Sequence, residues 1–199
     1  MVREQHAALC ELDIPWEIML VDDGSSDASL PVAERLVLEL EHISLVRRTR
    51  NQGLGAAFRD GMRASSMYYV IITPVDNPID TVNLQTFIAA AQDSDLVLGA
   101  RPHREGYAVW MKAGSMLLHS TYRYLLGVPY QPDYSWITLY RREIFDIIDF
   151  REDSGLLFYG ELLALATRHG YRMSSVVCPM RARTDGKGTV GSLTTVLRA

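Results

Sequence analysis

The sequence predicts an α/β fold, a mainly parallel central sheet flanked by helices, on three observations. Short apolar runs without turn residues, at 18–21, 43–46, 69–73 and 96–99, alternate with stretches of helical periodicity. The first three runs end abruptly in polar segments, at 22–27, 47–53 and 74–80. In an open α/β sheet the carboxyl ends of the strands are where ligands bind, so three sequence-distant loops share the edge where a site forms. Composition agrees: 199 residues, 48% hydrophobic and 22% charged, fit one globular domain with its own core.

Residues 3–12 read as a short helix with Ala8, Leu9 and Leu12 inward, closed by Asp13-Ile14-Pro15. Ile18 to Val21 has the pattern of a strand buried on both faces. A helix over about 30–41 places Ala33, Leu36, Val37 and Leu40 on one stripe, with Pro31 in its first turn. Ile43 to Val46 is the next strand, followed by the basic run Arg47-Arg48-Thr49-Arg50. Asn51 to Ala57 is a glycine-punctuated entry into a helix reaching about Ser66. Tyr69 to Thr73 forms a strand, 81–91 a helix and Leu96 to Gly99 a strand.

The second half is less regular. Residues 101–107 read as a polar loop and 108–126 as a long helix rich in Trp110, Met111, Met116, Leu117, Leu118, Tyr122 and Leu125. That helix fits a core position, or an interfacial one with Trp110, Tyr122 and Arg123 at a membrane surface. Asp133 to Arg142 is a strand, with Arg142-Glu143 opening a short helix. Phe158 to His169 is a helix with Leu162, Leu165 and Ala166 inward, and Tyr171 to Cys178 a last strand. The tail from Arg181 to Thr189 is basic and glycine-rich.

A net charge of −4 argues against non-specific nucleic-acid binding. The two cysteines, Cys10 and Cys178, match no metal spacing and are expected as buried free thiols. No apolar segment approaches the ~20 residues that cross a bilayer. The start of the chain carries Arg3, Glu4 and His6 rather than a signal-like apolar run, so a cytoplasmic protein with at most peripheral membrane contact is expected.

The adjacent acids Asp22 and Asp23 are costly side by side unless a cation, a ligand or hydrogen bonds compensate. The plainer reading is a polar turn after a strand, with Asp27 or Ser29 capping the next helix. Glycines at 53 and 55 allow close backbone approach, and a helix N-terminus offers N–H groups to an anion. The spacing is not that of a dinucleotide fingerprint or a phosphate-binding loop.

Val21-Asp22-Asp23-Gly24-Ser25-Ser26-Asp27 followed by Arg50-Asn51-Gln52-Gly53-Leu54-Gly55 resembles two consecutive signatures of family 2 glycosyltransferases with the GT-A fold. Gly99-Ala100-Arg101, Leu139-Tyr140-Arg141-Arg142, Glu161-Leu162-Leu163 and the span from Arg183 to Lys187 extend the resemblance over nearly the whole chain. The set is most similar to the dolichol-phosphate mannose synthase-like branch, which moves a sugar from a nucleotide sugar to a polyprenyl phosphate. The resemblance implies a single inverting glycosyltransferase domain, with a nucleotide-binding half to about residue 100 and an acceptor half beyond.

It also implies roles. Asp22 and Asp23 would hold the base and ribose, with Asn51, Gly53 and Gly55 near the nucleoside. Asp76 would meet a Mg²⁺ or Mn²⁺ ion bridging the diphosphate, since it falls where the family's D-x-D motif ends. Arg101, Arg183 and Lys187 would neutralise the donor diphosphate or the acceptor phosphate, although the last two also fit a solvated arm. Asp133 would orient the acceptor or a helix end, and Glu161 has either a catalytic role or a structural pairing with an arginine. An ionised acceptor phosphate attacks without a dedicated base, leaving positioning and charge neutralisation to the protein.

Two departures stand out. The family begins with a strand ending in a proline–aromatic–Asn-Glu loop, whereas Met1 here starts at the helix that follows it. The exposed sheet edge would then be covered by a homodimer partner or another strand. The D-x-D position reads Pro74-Val75-Asp76, leaving one acid with Asn77 or Asp80 to help, and Trp136-Ile137 replaces the usual Gly-Phe. Three functional classes therefore compete: an active sugar transferase, a degenerate or repurposed member that binds a ligand or performs different chemistry, and a receiver-like signalling module suggested by Asp22, Asp23 and Asp76 after strands.

Overall fold

The computed structural model describes residues 1–76, 79–100, 116, 120, 123–124, 127–128, 134–149 and 158–178. In chain order these form α1 (Val2–Cys10), β1 (Ile18–Asp22), α2 (Ser29–Glu39), β2 (Ile43–Arg47), α3 (Leu54–Ala64), β3 (Tyr69–Ile72), α4 (Thr81–Ala90), β4 (Leu96–Ala100), β5 (Tyr134–Arg141), α5 (Ile144–Ile147), α6 (Phe158–Arg168) and β6 (Met173–Val177). Elements expected within these residues are all present, their ends shifted by about two residues at most, as element ends fray. The loop 101–107, most of the helix over 108–126, Asn77, Pro78 and the basic tail lie outside the described residues.

Among the described residues the strands form two sheets. β1 and β2 are parallel, with Ile18 opposite Ile43 and Asp22 opposite Arg47. The other sheet has the order β3-β5-β4-β6. β4 and β6 are parallel, as strand–helix alternation predicts, but β5 lies between β3 and β4 and runs against both. This sheet is therefore mixed: an apolar pattern marks a strand without fixing its direction.

The chain divides into two compact units. Among the described residues, one draws on 1–13, those between 69 and 141, and 162–178, the other on 14–68, 142–149 and 158–161. In the first, a core of Leu84, Phe87, Val97, Ile137, Leu139 and Cys178 sits between α4 and the mixed sheet, with Ala8, Leu9 and Leu12 of the N-terminal segment packed on it as their spacing predicts. Gln5 docks α1 reciprocally, its Nε2 donating to the Ile79 carbonyl at 3.1 Å and its Oε1 accepting from the Ile79 N–H at 2.7 Å. Buried Asp95 ties three strand ends: it accepts from Arg141 Nη2 at 2.8 Å and from the Arg172 N–H at 2.8 Å, with Arg172 Nε 3.6 Å away.

Of the two free cysteines, Cys178 is buried but Cys10 is exposed, which corrects the expectation of two buried thiols. Cys10 closes α1 with its Sγ 3.6 Å from His6 Nδ1, one turn back. It therefore lies off the Leu9–Leu12 stripe that meets the core.

In the second unit, Leu36 is buried and Ala33, Val37 and Leu40 are half-buried, the stripe that the α2 periodicity predicts. Phe58 of α3 packs edge-on to Phe145 at 5.5 Å and tilted to Phe158 at 5.1 Å between ring centres. Glu17 closes the far end of α3, accepting from the Ser66 N–H at 2.6 Å and the Ser66 hydroxyl at 3.1 Å. Ile18 to Val21 are half-buried rather than buried on both faces. Ile18 donates its N–H to the carbonyl of His42, the residue before β2, at 2.8 Å, so the alternation of a parallel ladder turns the backbone groups of Met19 and Val21 away from β2. No strand pairs with that edge among the described residues.

Candidate functional site

Two of the three expected loops meet in the second unit. Asp22 ends β1 and is 7% exposed, and its carbonyl accepts from the Arg48 N–H at 3.0 Å, extending the ladder with β2 by one rung. Both of its carboxylate oxygens lie 3.3 Å from the Ser25 N–H, which closes the turn. Gly24 makes that turn with φ of 72°, a conformation that favours glycine. A Cβ there would stand 2.6 Å from the carbonyl carbon of Arg50 and 2.7 Å from the nitrogen of Asn51, so the two loops touch backbone to backbone.

Asp23 completes the junction. Its Oδ1 accepts from the Gln52 N–H at 3.1 Å and its Oδ2 from the Gly53 N–H at 2.9 Å. Asn51 Oδ1 accepts from the same Gly53 N–H at 3.1 Å. Gly53, with φ of 96° and ψ of 167°, is the cap from which α3 departs, and Gly55 lies buried in its first turn. The amides of this loop, which could have served a ligand anion, serve the carboxylate of Asp23 instead. The acid pair is thereby compensated within the chain: Asp22 by its own turn, Asp23 by the next loop.

Arg48 was concealed in the basic run, where nothing separates it from Arg47 or Arg50. Its side chain is only 9% exposed, with Nε 3.6 Å from Asp23 Oδ1 and 3.4 Å from Asp60 Oδ2. Its Nη2 donates to Gln52 Oε1. Gly61 was also missed: a Cβ there would meet Val21 Cγ2 at 2.9 Å, so α3 crosses β1 at close range. The signal for it was the small-residue spacing Ala57 to Gly61 on one helix face.

Asp27 does not cap α2, whose N-cap is Ala28 without a side-chain bond. Its Oδ1 instead accepts from the Ser29 N–H at 2.9 Å. Bonding to the Ser29 side chain and backbone holds its carboxyl below the ordinary carboxylate range.

The third loop belongs to the other unit. Asp76 lies in the turn after β3, and Asp80 caps α4, accepting from the Asn83 N–H at 2.8 Å and its side-chain amide at 2.9 Å. Asp80 is thus committed to the helix and not to a cation beside Asp76. Among the described residues no group of three acids, histidines or cysteines could hold a metal ion. The described residues do not fit the Mg²⁺ or Mn²⁺ site that the resemblance implies, which needs several oxygen ligands. Glu161 is half-buried in the first turn of α6. Arg101, Asp133, Arg183 and Lys187 lie outside the described residues.

A shallow cleft of about 180 Å³ is lined by Arg59, Arg63, Phe145 and residues 146–149. None of the residues singled out from the sequence lines it. Among the described residues no helix is long and apolar enough to cross a membrane.

Comparison with known proteins bears on this arrangement. The model of glycosyl transferase family 2 matches residues 1–148. An undecaprenyl-phosphate 4-deoxy-4-formamido-L-arabinose transferase from Salmonella paratyphi A is 26% identical over 147 residues, 73% of this chain and 45% of that protein. The chain thus spans less than half the length of the curated relatives it matches. Among solved structures, glucosyl-3-phosphoglycerate synthase from Mycobacterium tuberculosis, in complex with Mg²⁺ and uridine diphosphate, is similar with a TM-score of 0.68 at 20% identity, over 92% of this chain and 66% of that one. A mannosyltransferase from Pyrobaculum calidifontis, in complex with GDP-mannose and Mn²⁺, is similar with a TM-score of 0.65 at 16% identity, over 94% and 54%. At these identities the likeness establishes the fold, which is GT-A.

Proposed function

Since the chain belongs to glycosyl transferase family 2, we propose that it moves a sugar from a nucleotide diphosphate sugar to a polyprenyl-phosphate or similar acceptor. The observation that carries this reading is the junction of Asp22 and Asp23 with the 51–53 loop. Its amides are spent on a protein carboxylate, as suits a wall facing a neutral nucleoside rather than a cradle for phosphates. Asp22 and Asp23 hold the base and ribose through their remaining lone pairs, beside Asn51, Gly53 and Gly55.

In the reaction, an oxygen of the ionised acceptor phosphate attacks the anomeric carbon. The bond from that carbon to the diphosphate breaks, the configuration inverts, and the nucleoside diphosphate leaves with the electron pair. Arg101, Arg183 and Lys187 neutralise donor and acceptor phosphates, Asp133 orients the acceptor, and Glu161 supports that half of the site. No step is assigned to a Mg²⁺ or Mn²⁺ ion, because the described residues supply no set of ligands for one. The protein works on the cytoplasmic side, in peripheral contact with the membrane that carries the acceptor. Among the described residues no strand pairs with the free edge of β1, and the partner proposed there is a second copy of the chain.

The same acid loop favours a second reading, in which a repurposed member binds the nucleotide and does not transfer sugar. Pro74-Val75-Asp76 keeps one acid and Asp80 is occupied as a cap. Isothermal titration with UDP, GDP and their sugars, with and without Mn²⁺, tests both. Binding with turnover on a polyprenyl phosphate supports transfer, and binding without turnover supports the second reading. Absence of any nucleotide binding overturns both.

A further inference from the structure

We propose that Arg48 is a positioning residue, which sets Asp23 and through it the 51–53 loop before any nucleotide arrives. This rests on the nucleotide-binding reading of the site. The guanidinium spans three elements of the fold: Asp23 after β1, Gln52 in the loop after β2, and Asp60 on α3. Asp23 in turn accepts from the backbone N–H groups of Gln52 and Gly53. Arg48 and Asp23 therefore grip the same loop from two sides, one through the Gln52 side chain and the other through its backbone.

A lysine could not reproduce this, since a point charge lacks the planar fork that addresses several acceptors at fixed angles. The arrangement is not optimised for stability. Among the described residues Nη1 of Arg48 is buried with no hydrogen-bond partner, and orphaning a buried donor of a charged group is costly. Asp23 and Asp60 are 20% and 38% exposed, so water can reach both if the cation is removed. A variant without the guanidinium should thus keep its fold and lose the geometry of the loop.

The test has a part that needs no ligand. In the unliganded chain, Arg48→Met is expected to speed hydrogen exchange of the Gln52 and Gly53 amides by about tenfold. The Ser25 amide, which bonds Asp22, is expected to stay unchanged and Arg48→Lys to recover part of the protection. In titrations with UDP and GDP, Arg48→Met should weaken the nucleotide by about tenfold, and the double variant with Asp23→Asn should be no weaker than the poorer single. Unchanged exchange at residues 52 and 53, or additive losses in the cycle, would overturn the proposal. If the wild-type chain binds neither nucleotide, the functional reading falls, while the exchange measurement still decides the role of Arg48.

Discussion

Replacing Gly24 with alanine isolates the backbone contact on which the candidate site is built. Two penalties add. At φ of 72° a Cβ costs about 1–2 kcal/mol through its clash with the local carbonyl. The same Cβ would also stand 2.6, 2.7 and 2.8 Å from backbone atoms of Arg50 and Asn51, which have no side-chain freedom with which to yield. Forcing such a gap open resembles overpacking and costs about 1–3 kcal/mol more. Gly53→Ala is the internal control. Its φ of 96° carries strain of about 1–3 kcal/mol, but among the described residues no atom outside its immediate chain neighbours lies within 4 Å of the added carbon. Urea unfolding followed by circular dichroism should therefore place Gly24→Ala below Gly53→Ala in stability. Equal midpoints, or a milder effect at Gly24, would mean that the two loops do not meet as described.

Two further predictions concern the other unit. Asp95→Ala should destabilise the chain by about 1–3 kcal/mol in thermal melts, because it takes the acceptor from the Arg172 N–H and from the partly buried Arg141 guanidinium, while the more exposed Arg172 side chain stays solvated. A loss below about 1 kcal/mol would show that the strand ends are held by their ladders alone. In thiol titrations with a chromogenic disulfide at pH 8, Cys10 should react in the native chain and Cys178 only after denaturation. Burial, with a smaller contribution from the charge of Asp80, pushes the Cys178 thiol from 9.0 up to about 11. The folded form holds that proton where the unfolded chain releases it, so its contribution to stability is complete below about pH 9 and lost as pH rises through about 11.

Local pattern was enough for the elements and not for their partners. The spacing of Ala33, Leu36, Val37 and Leu40 sufficed to orient α2, and Ala8, Leu9 and Leu12 sufficed for the N-terminal segment. Nothing comparable marks β5, whose direction depends on a pairing with strands about 40 and 70 positions earlier in the chain. The acid pair stood out as a candidate site because two carboxylates after an apolar run are anomalous. That Asp23 answers to amides 29 and 30 residues away was not, since compensation by a distant loop leaves no periodic trace. Arg48 was hidden for a related reason: a buried arginine and a solvated one look alike in a basic run. The role of Asp80 was misjudged where an acid three residues before an asparagine, at the start of a helix, deserved the simpler reading of a cap.

The clasp between Gln5 and Ile79 has a consequence for chain entropy. It closes a loop of 74 residues, at a cost that grows only logarithmically and amounts to roughly 4 kcal/mol beyond a constant. The side-chain amide meets this by doing the work of a peptide group, giving one donor and one acceptor to a residue that, among the described residues, has no strand beside it. Thr81 repeats the connection two residues later through Ala8 and Glu11. The first turns of the chain thus complete the hydrogen bonding of Ile79, and a chain begun after residue 12 would leave both of its backbone polar groups without these partners.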